Sequence, residues 1–327
     1  MNLELLIRNQ SGTKAYLPAV EEGIEWTTER QGSPGKLTFQ VLPDDVLDFS
    51  EGSLVTLREG DYNIFYGYVF KQQRDKSRII TVTAYDQLRY LKNKDIIVYE
   101  EQTADQLVRQ IAADYSLQVG DLEPTGYVIE SGVEDNIPLF DMIQKALDIT
   151  MKNTGELFVL YDDFGKLTLK RLSSMTVGDG MGNCLLLNAE TGENFEYTSS
   201  IDDNTYNKIK LSCEDENTGK REICTEHDPE TMRQWGILQY FDTFKKGENG
   251  QEKAAALLKL YNKKTRNLKL SKVLGDNRVR AGSLIAVNLD LGDVEVRNFM
   301  LVESCKHTYK EGEHWMDLTL RGGGFVV

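Results

Sequence analysis

The sequence predicts a mainly β protein with an α+β insertion: two similar antiparallel β-barrel domains flanking a small α+β module. Three observations lead there. Apolar and polar residues alternate over short segments bounded by Gly, Asp and Pro, the period of a half-buried strand. Helical spacing is confined to segments near 103–115, 138–154 and 249–261. The hexapeptide Gly52-Ser53-Leu54-Val55-Thr56-Leu57 returns as Gly282-Ser283-Leu284-Ile285-Ala286-Val287.

Taken in order, Leu37–Leu42 alternates and stops at Pro43. Gly52–Leu57 is a second strand, closed by the turn Glu59-Gly60-Asp61. Ile64–Phe70 is a third, rich in aromatics, and Arg78–Tyr85 a fourth, with Ile80, Val82 and Ala84 on one face. Strands this short, separated by Gly and Asp turns, fit a small antiparallel barrel or sandwich. The period then changes. Thr103–Tyr115 reads as a helix in which Thr103 and Gln106 form a capping box. Its apolar stripe is Leu107, Val108, Ile111, Ala112 and Tyr115. A second helix starts near Pro138, a residue suited to a first helical turn, and ends before Gly155. It carries Leu139, Ile143, Ala146 and Leu147. Leu157–Tyr161 and Lys166–Leu172 form a hairpin over the turn Asp162-Asp163-Phe164-Gly165.

Small and glycine-rich residues make 173–183 a linker. Strands resume at Lys208–Cys213, Leu268–Val273, Gly282–Leu289, Phe299–Cys305 and His314–Leu320. One helix interrupts them, capped by Asn249 with Glu252, with Ala254, Leu257, Leu258 and Tyr261 on one stripe. In both halves the repeated hexapeptide precedes an aromatic-led strand, at Phe65 and at Phe299. A charged turn and a closing alternating strand follow in each. This common order predicts two β-domains of the same topology. The expected organisation is a first barrel at 1–93, an α+β module at 94–172, the linker at 173–183, and a second barrel at 184–327 with one inserted helix.

The chain has 327 residues, 38 Lys plus Arg and 52 Asp plus Glu, a net charge of −14. A basic clamp for nucleic acid or an anionic membrane surface is therefore excluded, since both need clustered cations. Cys184, Cys213, Cys224 and Cys305 stand far apart, without a Cys-x-x-Cys pair, and read as free thiols. The start MNLELLIRNQ carries Glu4 and Arg8 and does not resemble a secretory signal. No charge-free run approaches the ~18 residues of a membrane span. Synthesis and residence in a reducing cytoplasm are expected.

Catalytic signatures fail one by one, and no catalytic residue, cofactor or metal is expected. Of the three histidines His227, His307 and His314, the last two flank the turn Glu311-Gly312-Glu313. They could face each other across paired strands as a metal site, or sit as two polar residues on a hairpin. Gly32-Ser33-Pro34-Gly35-Lys36-Leu37 lacks the first Gly and the hydroxyl of a P-loop. Gly178-Asp179-Gly180-Met181-Gly182 opens no helix. The doublets Asp44-Asp45, Glu100-Glu101, Asp162-Asp163 and Asp202-Asp203 are expected to be solvated rather than placed across a cleft. A Cys and His brought together from afar stays open. Two aromatic groups stand out: Tyr62, Phe65, Tyr66, Tyr68 and Phe70, and Trp235, Tyr240, Phe241 and Phe244. Core packing accounts for the first; core or an interface loop accounts for the second.

The succession AYDQLRYLKNK, a helix–helix–hairpin module, SIDDNTYNKIKLSC and a closing CKHTYKEGEHWMDLTLRG resembles the hub proteins of phage tails and contractile injection devices. The likeness is to the XkdQ/YqbQ type of PBSX-like prophages and runs over nearly the whole chain. It is carried by Tyr85-Asp86 before a leucine-rich stretch, by Asn207 opening a strand, and by His307 before the last hairpin. The resemblance implies a non-enzymatic baseplate hub that forms a homotrimer. Two barrels in each of three chains would match the sixfold tail tube above and the trimeric spike or needle below. Implied partners are the tail tube protein, the spike protein, and other baseplate and LysM-type tail proteins; membrane and sequence-specific nucleic acid are not among them. The implied location is the bacterial cytoplasm during assembly, then the released particle, whether phage, prophage or R-type bacteriocin. A cell-wall hydrolase acting during tail penetration and a carbohydrate-binding tail component are the alternatives. With the sequence ending at Val327, soon after the second barrel, no fused lytic domain is expected.

Overall fold

Alternation in the first ninety residues produces seven strands: β1 (Leu3–Arg8), β2 (Ala15–Tyr16), β3 (Val20–Glu29), β4 (Lys36–Val41), β5 (Leu54–Glu59), β6 (Tyr62–Arg74) and β7 (Ile80–Tyr85). They are seen in a computed structural model that describes residues 2–178, 184–188, 192–202, 204–214, 219–244, 247–290 and 295–322. All pairs are antiparallel, in the order β3-β4-β7-β6-β5-β1-β2. Leu5 and Ile7 of β1 share one core with Ile24 and Trp26 of β3, from well-separated places in the sheet. The sheet is thus rolled, as strand twist favours. Among the described residues, however, no ladder joins β1 or β2 to β3, so hydrogen bonds do not close the roll as the predicted barrel would require.

The chain then builds β8 (Lys94–Thr103), α1 (Ala104–Asp114), β9 (Val119–Leu122), β10 (Val128–Pro138), α2 (Leu139–Thr154), β11 (Phe158–Asp162) and β12 (Leu167–Arg171). The α1 capping box is present, and the predicted stripe residues Leu107, Val108, Ile111 and Ala112 are buried. They pack on Leu139, Met142, Ile143 and Ala146 of α2 in a core separate from that of the rolled sheet. The sequence did not reveal the long ladder of β8 with β10. Ile97, Tyr99 and Ile129 face the helices, while Ile96, Val98 and Val133 lie exposed on the other side. Apolar residues on both faces of a charged segment hide the alternation.

Next come β13 (Leu186–Asn188) and β14 (Asn194–Ser200). An insertion follows, made of β15 (Lys208–Glu214), β16 (Arg221–His227), α3 (Pro229–Trp235), β17 (Gln239–Thr243) and α4 (Gly250–Tyr261). The chain ends with β18 (Thr265–Leu274), β19 (Leu284–Asp290), β20 (Glu295–Lys310) and β21 (Glu313–Gly322). Two expectations are corrected here. The strand at Lys208–Cys213 belongs to a small separate sheet, β16-β15-β17, with its own core around Ile209, Leu211, Phe244 and Leu257. The second half also holds a further short helix, α3, capped by the Asp228 side chain and opened by Pro229. Of the predicted linker, residues 179–183 lie outside the described residues; Thr176 bridges to Leu284.

With the insertion set aside, the second half has the order β14-β18-β21-β20-β19-β13. It repeats β3-β4-β7-β6-β5-β1 strand for strand, except that β13 runs parallel to β19 where β1 is antiparallel to β5. The repetition extends to single hydrogen bonds. Gly52 N donates to Val69 O at 2.7 Å, and Gly282 N to Val302 O at 2.8 Å. Val69 N donates to Ser53 O and Val302 N to Ser283 O, both at 2.9 Å. The Ser53 and Ser283 hydroxyls each accept from the backbone N three residues earlier, at 3.1 Å. Both long strands then shift register, at Val69/Lys71 and at Val302/Ser304. The hexapeptide echo therefore marks a real structural repeat.

The units are not separate. Residues Ser304–Tyr309 of β20 pair with Glu29–Ile24 of β3, so one 13-stranded sheet runs through both halves. The two similar β units expected from the sequence are thus continuous with each other through this ladder. β20 has 16 residues, long enough to pair with β19 along its first part and with β3 beyond its bulge. No helix among the described residues is long and apolar enough to cross a membrane.

Candidate functional site: the joint between the β units

The β20–β3 ladder sets polar side chains of both units against each other. His307 lies directly opposite Trp26, and the rings stack with centroids 4.7 Å apart. His314 on β21 is the diagonal neighbour of His307 and lies 2.8 Å from it, Nε2 to Nδ1. The carbonyl of Val279 sits 2.9 Å from His307 Nε2, which assigns the His307 proton to Nε2 and makes Nδ1 the acceptor from His314. Tyr309 stacks on His314 at 4.3 Å and donates to Asn277. His307 is fully buried. Burial, with His314 beside it, pushes its pKa down to about 3, and burial lowers that of His314 too. The predicted histidine pair thus does meet. It meets on the β20–β21 hairpin, as expected, and the two rings are neutral and turned into the joint. Buried Cys305 lies 3.1 Å from His307 Nε2, and burial pushes its thiol up, away from the reactive thiolate.

A second cluster ties the joint to the helical module. Asp86 caps the turn after β7, accepting from Leu88 N at 3.0 Å and from Gly35 N at 2.9 Å. Asp162, at the end of β11, accepts from Gly165 N at 2.7 Å. Arg280 of the second unit lays its guanidinium 4.1 Å over the Tyr161 ring and 6.0 Å over Trp26. Asp162 corrects the expectation that the Asp162-Asp163 doublet is solvated: Asp163 is exposed, but Asp162 is buried. The hairpin folds back against the β units and turns alternate residues inward. Burial pushes Asp162 up to about 6. Burial and then the Asp162 charge raise Asp86, while Arg280 opposes the rise.

These shifts have opposite consequences for stability. Asp162 has a folded-state pKa above its ordinary 3.8, so its contribution is present below about pH 4 and is lost as the pH rises through about 6. His307 is depressed from 6.5 to about 3, so its contribution is present above about pH 6.5 and is lost as the pH falls toward 3. Asp162→Asn keeps the acceptor for Gly165 and removes the charge. It is expected to stabilise the protein by about 2 kcal/mol at pH 8 and by nothing below about pH 4. Urea midpoints at the two pH values check this. An equal gain at both would exclude a buried charge as the cause.

The three residues that carried the family likeness share one structural role. Asp86, Asn207 and His307 are 3%, 0% and 0% exposed. Asn207 donates to Gly236 O at 2.7 Å and accepts from Leu238 N at 2.9 Å, clamping β15 to the loop before β17. Each is a buried polar latch between elements, and such groups are costly to leave unpaired.

Of the aromatic groups, Phe65 is core, whereas Tyr66 packs edge-on against Phe164 of the module and Phe70 against Tyr85 and Tyr90. Phe244 is buried, Tyr240 packs with Tyr206 and Tyr261, and Phe241 is exposed. Lys145, Lys152, Arg321, Asp141 and Asp148 line a cleft of about 630 Å³ between α2, α4 and the sheet. Its two carboxylates stand seven residues apart on α2, about 10 Å along one helix. Glycoside hydrolysis needs carboxyl groups roughly 5–9.5 Å apart that face each other across the bond.

A YqbQ-like family model matches residues 24–321. The chain is 30% identical to protein YqbQ of Bacillus subtilis (strain 168) over 318 residues, 93% of this chain and 92% of that protein. It is 29% identical to the phage-like element PBSX protein XkdQ of the same organism over 315 residues, 93% of each. Among solved structures, the prophage MuSo2 43 kDa tail protein from Shewanella oneidensis superimposes with a TM-score of 0.67 at 14% identity. That match covers 97% of this chain and 98% of that one, and the two share a fold.

Proposed function

Since this chain belongs to the YqbQ-like family, we propose that it is a structural component of a phage-type tail and, within it, the hub joining the tube to the spike. The strand-for-strand repetition of β3-β4-β7-β6-β5-β1 in β14-β18-β21-β20-β19-β13 carries this reading. Three copies of a chain with two like units present six like surfaces around one axis. Such an object can meet a sixfold tube on one side and a threefold spike on the other. Each chain's net charge of −14 opposes assembly at long range. At physiological salt the Debye length is about 8 Å, so contacts at strand edges decide the outcome. If the particle carries a nucleic acid, an acidic lumen would keep it from adhering as it passes.

The role is non-enzymatic: the buried carboxylates and histidines are consumed in latching one unit to another. A reconstruction of the intact tail tip tests the assignment. Three copies of the chain are expected on the axis at the end of the tube. Six copies, or a position on the outer sheath or fibres, would sink it.

A further inference from the structure

The seam between the first β unit and the helical module holds a cavity of about 290 Å³, at the small end of the span of ligand sites. Tyr66 and Tyr68 of β6, Tyr90 in the turn after β7, and Tyr115 just beyond α1 line it, all half-buried. No charged side chain among the described residues lines it, in a chain of which 28% of the residues are charged. An ion would lose its hydration there without a counter-charge, which is costly. A tyrosine is apolar over its ring and polar only at its tip. Four of them suit a small neutral molecule with one C–H face and a hydroxyl edge.

The walls are fixed before any ligand arrives. Gly165, at φ +86°, lets the β11–β12 turn come so close that a Cβ on it would stand 2.6 Å from the Tyr66 ring. Phe164 and Tyr68 pack edge-on against the same ring, with centroids at 5.5 Å and 6.1 Å. Tyr90 packs on Phe70, and Tyr115 donates to Asp95 at 2.8 Å. Gln87 is taken up by the backbone of Gln118, donating to its carbonyl at 3.1 Å and accepting from its N–H at 3.0 Å. Gln118 itself is exposed, and its side-chain amide stands at the rim. Groups held in this way lose little freedom when a ligand enters.

The rim also carries a residue that folding alone would not select. At the end of α1, Leu117 N donates to Ala112 O at 2.8 Å and Ser116 N to Ala113 O at 3.2 Å. This paired cap requires a left-handed residue at position 116, a place usually taken by glycine. The other helix of the module also ends on a left-handed residue, and there it is Gly155, at φ +75°. Ser116 stands at φ +54° with the strain of its Cβ, and its exposed residue lines the cavity.

We propose that this cavity binds a single neutral sugar ring, with the C–H face of the sugar on the tyrosines and its hydroxyls at Ser116 and Gln118. A pyranose has that division between face and edge, and the lining supplies a partner for each. A proline-rich segment also seeks aromatic rings, but it lies along a groove of several rings and has no hydroxyls to meet the rim. The site rests on this geometry and not on the hub reading.

The test is an NMR titration of the full-length chain, labelled at its tyrosines, with N-acetylglucosamine, methyl glucoside and methyl galactoside. At least one sugar is expected to shift Tyr66, Tyr68, Tyr90 and Tyr115 saturably, with half-saturation at roughly 1–10 mM, as suits a one-ring ligand. Ser116→Gly relieves the left-handed strain, so its urea midpoint is expected to rise while the sugar binds about threefold more weakly or worse. Gln118→Ala is expected to weaken the sugar by a similar factor. Weakening by either variant supports the site, and affinities unchanged in both overturn it. The proposal also fails if no sugar saturates the four tyrosines by about 100 mM. Equal shifts at Tyr197 and Tyr261, which pack on other cores, would likewise overturn it. So would decaproline moving the four tyrosines where no sugar does. Should a variant fail to fold, the titration of the wild-type chain decides.

Discussion

Trp26→Ala is expected to cost about 3–5 kcal/mol, the range for emptying a buried Trp site. Trp26 is 4% exposed and touches three parts of the molecule at once: Leu37 across the ladder, the His307 ring of the other unit, and the Arg280 guanidinium. Its loss removes the cover from a neutral buried imidazole. His307 should then titrate well above its native value of about 3, and the acid sensitivity that it contributes should shrink. Trp26→Phe keeps a ring on His307 and should lose only about 1–2 kcal/mol. Denaturant midpoints give the energies, and histidine NMR titrations give the second readout. If Trp26→Ala lost under about 1 kcal/mol with His307 unmoved, the stack would not be what holds the units together.

Gly282→Ala should cost about 3–4 kcal/mol, while the same change at its repeat counterpart, Gly52→Ala, should cost about 1–2 kcal/mol. Both glycines have positive φ, +91° and +87°, where a Cβ costs about 1–2 kcal/mol. Their neighbours differ. A Cβ on Gly282 would lie 2.3 Å from Cγ1 of Val159, a buried residue of β11 with nowhere to go. That adds an overpacking cost of about 1–3 kcal/mol. On Gly52 the nearest atom is the amide of exposed Gln10, at 3.1 Å, which can swing away. Unfolding in guanidinium compares the two variants. Equal losses would show that the module does not bear on the second unit through Val159.

What the sequence makes legible is what periodicity reports. The stripe of α1, the inward Ile80, Val82 and Ala84, and the hexapeptide echo all appear as expected, because burial on one face repeats at a fixed interval. Periodicity says which way a side chain faces and not what it meets. The segment Asn194–Ser200 alternates only briefly, at Phe195 and Tyr197, and ends in small polar residues, so it does not read as a strand. Asp162 reads as one half of a turn doublet, because nothing local shows that the hairpin is folded onto another unit. His307 and His314 are legible as a pair through their spacing around a turn. Their burial depends on Trp26, near the opposite end of the chain, and is not legible. Arg280 carries no signal at all: a cation in a turn is usually solvated, and only the rings of Tyr161 and Trp26 give it a place.

The ladder between β20 and β3 also decides how the molecule carries force. Flexing one β unit against the other would require the paired residues Ser304–Tyr309 and Ile24–Glu29 to part, and two short elements joined by a single covalent link would offer no such resistance. Because the bonds lie side by side along the strands, a pull along β20 loads them together in shear instead of unzipping them in turn. The two units should therefore deform as one stiff body. The insertion from β15 to α4 has its own sheet and core, joins the chain between β14 and β18, and touches α2 through Lys152 and Asp242, off this line of tension. Compliance belongs there, so that part can yield to whatever touches it without disturbing the wall.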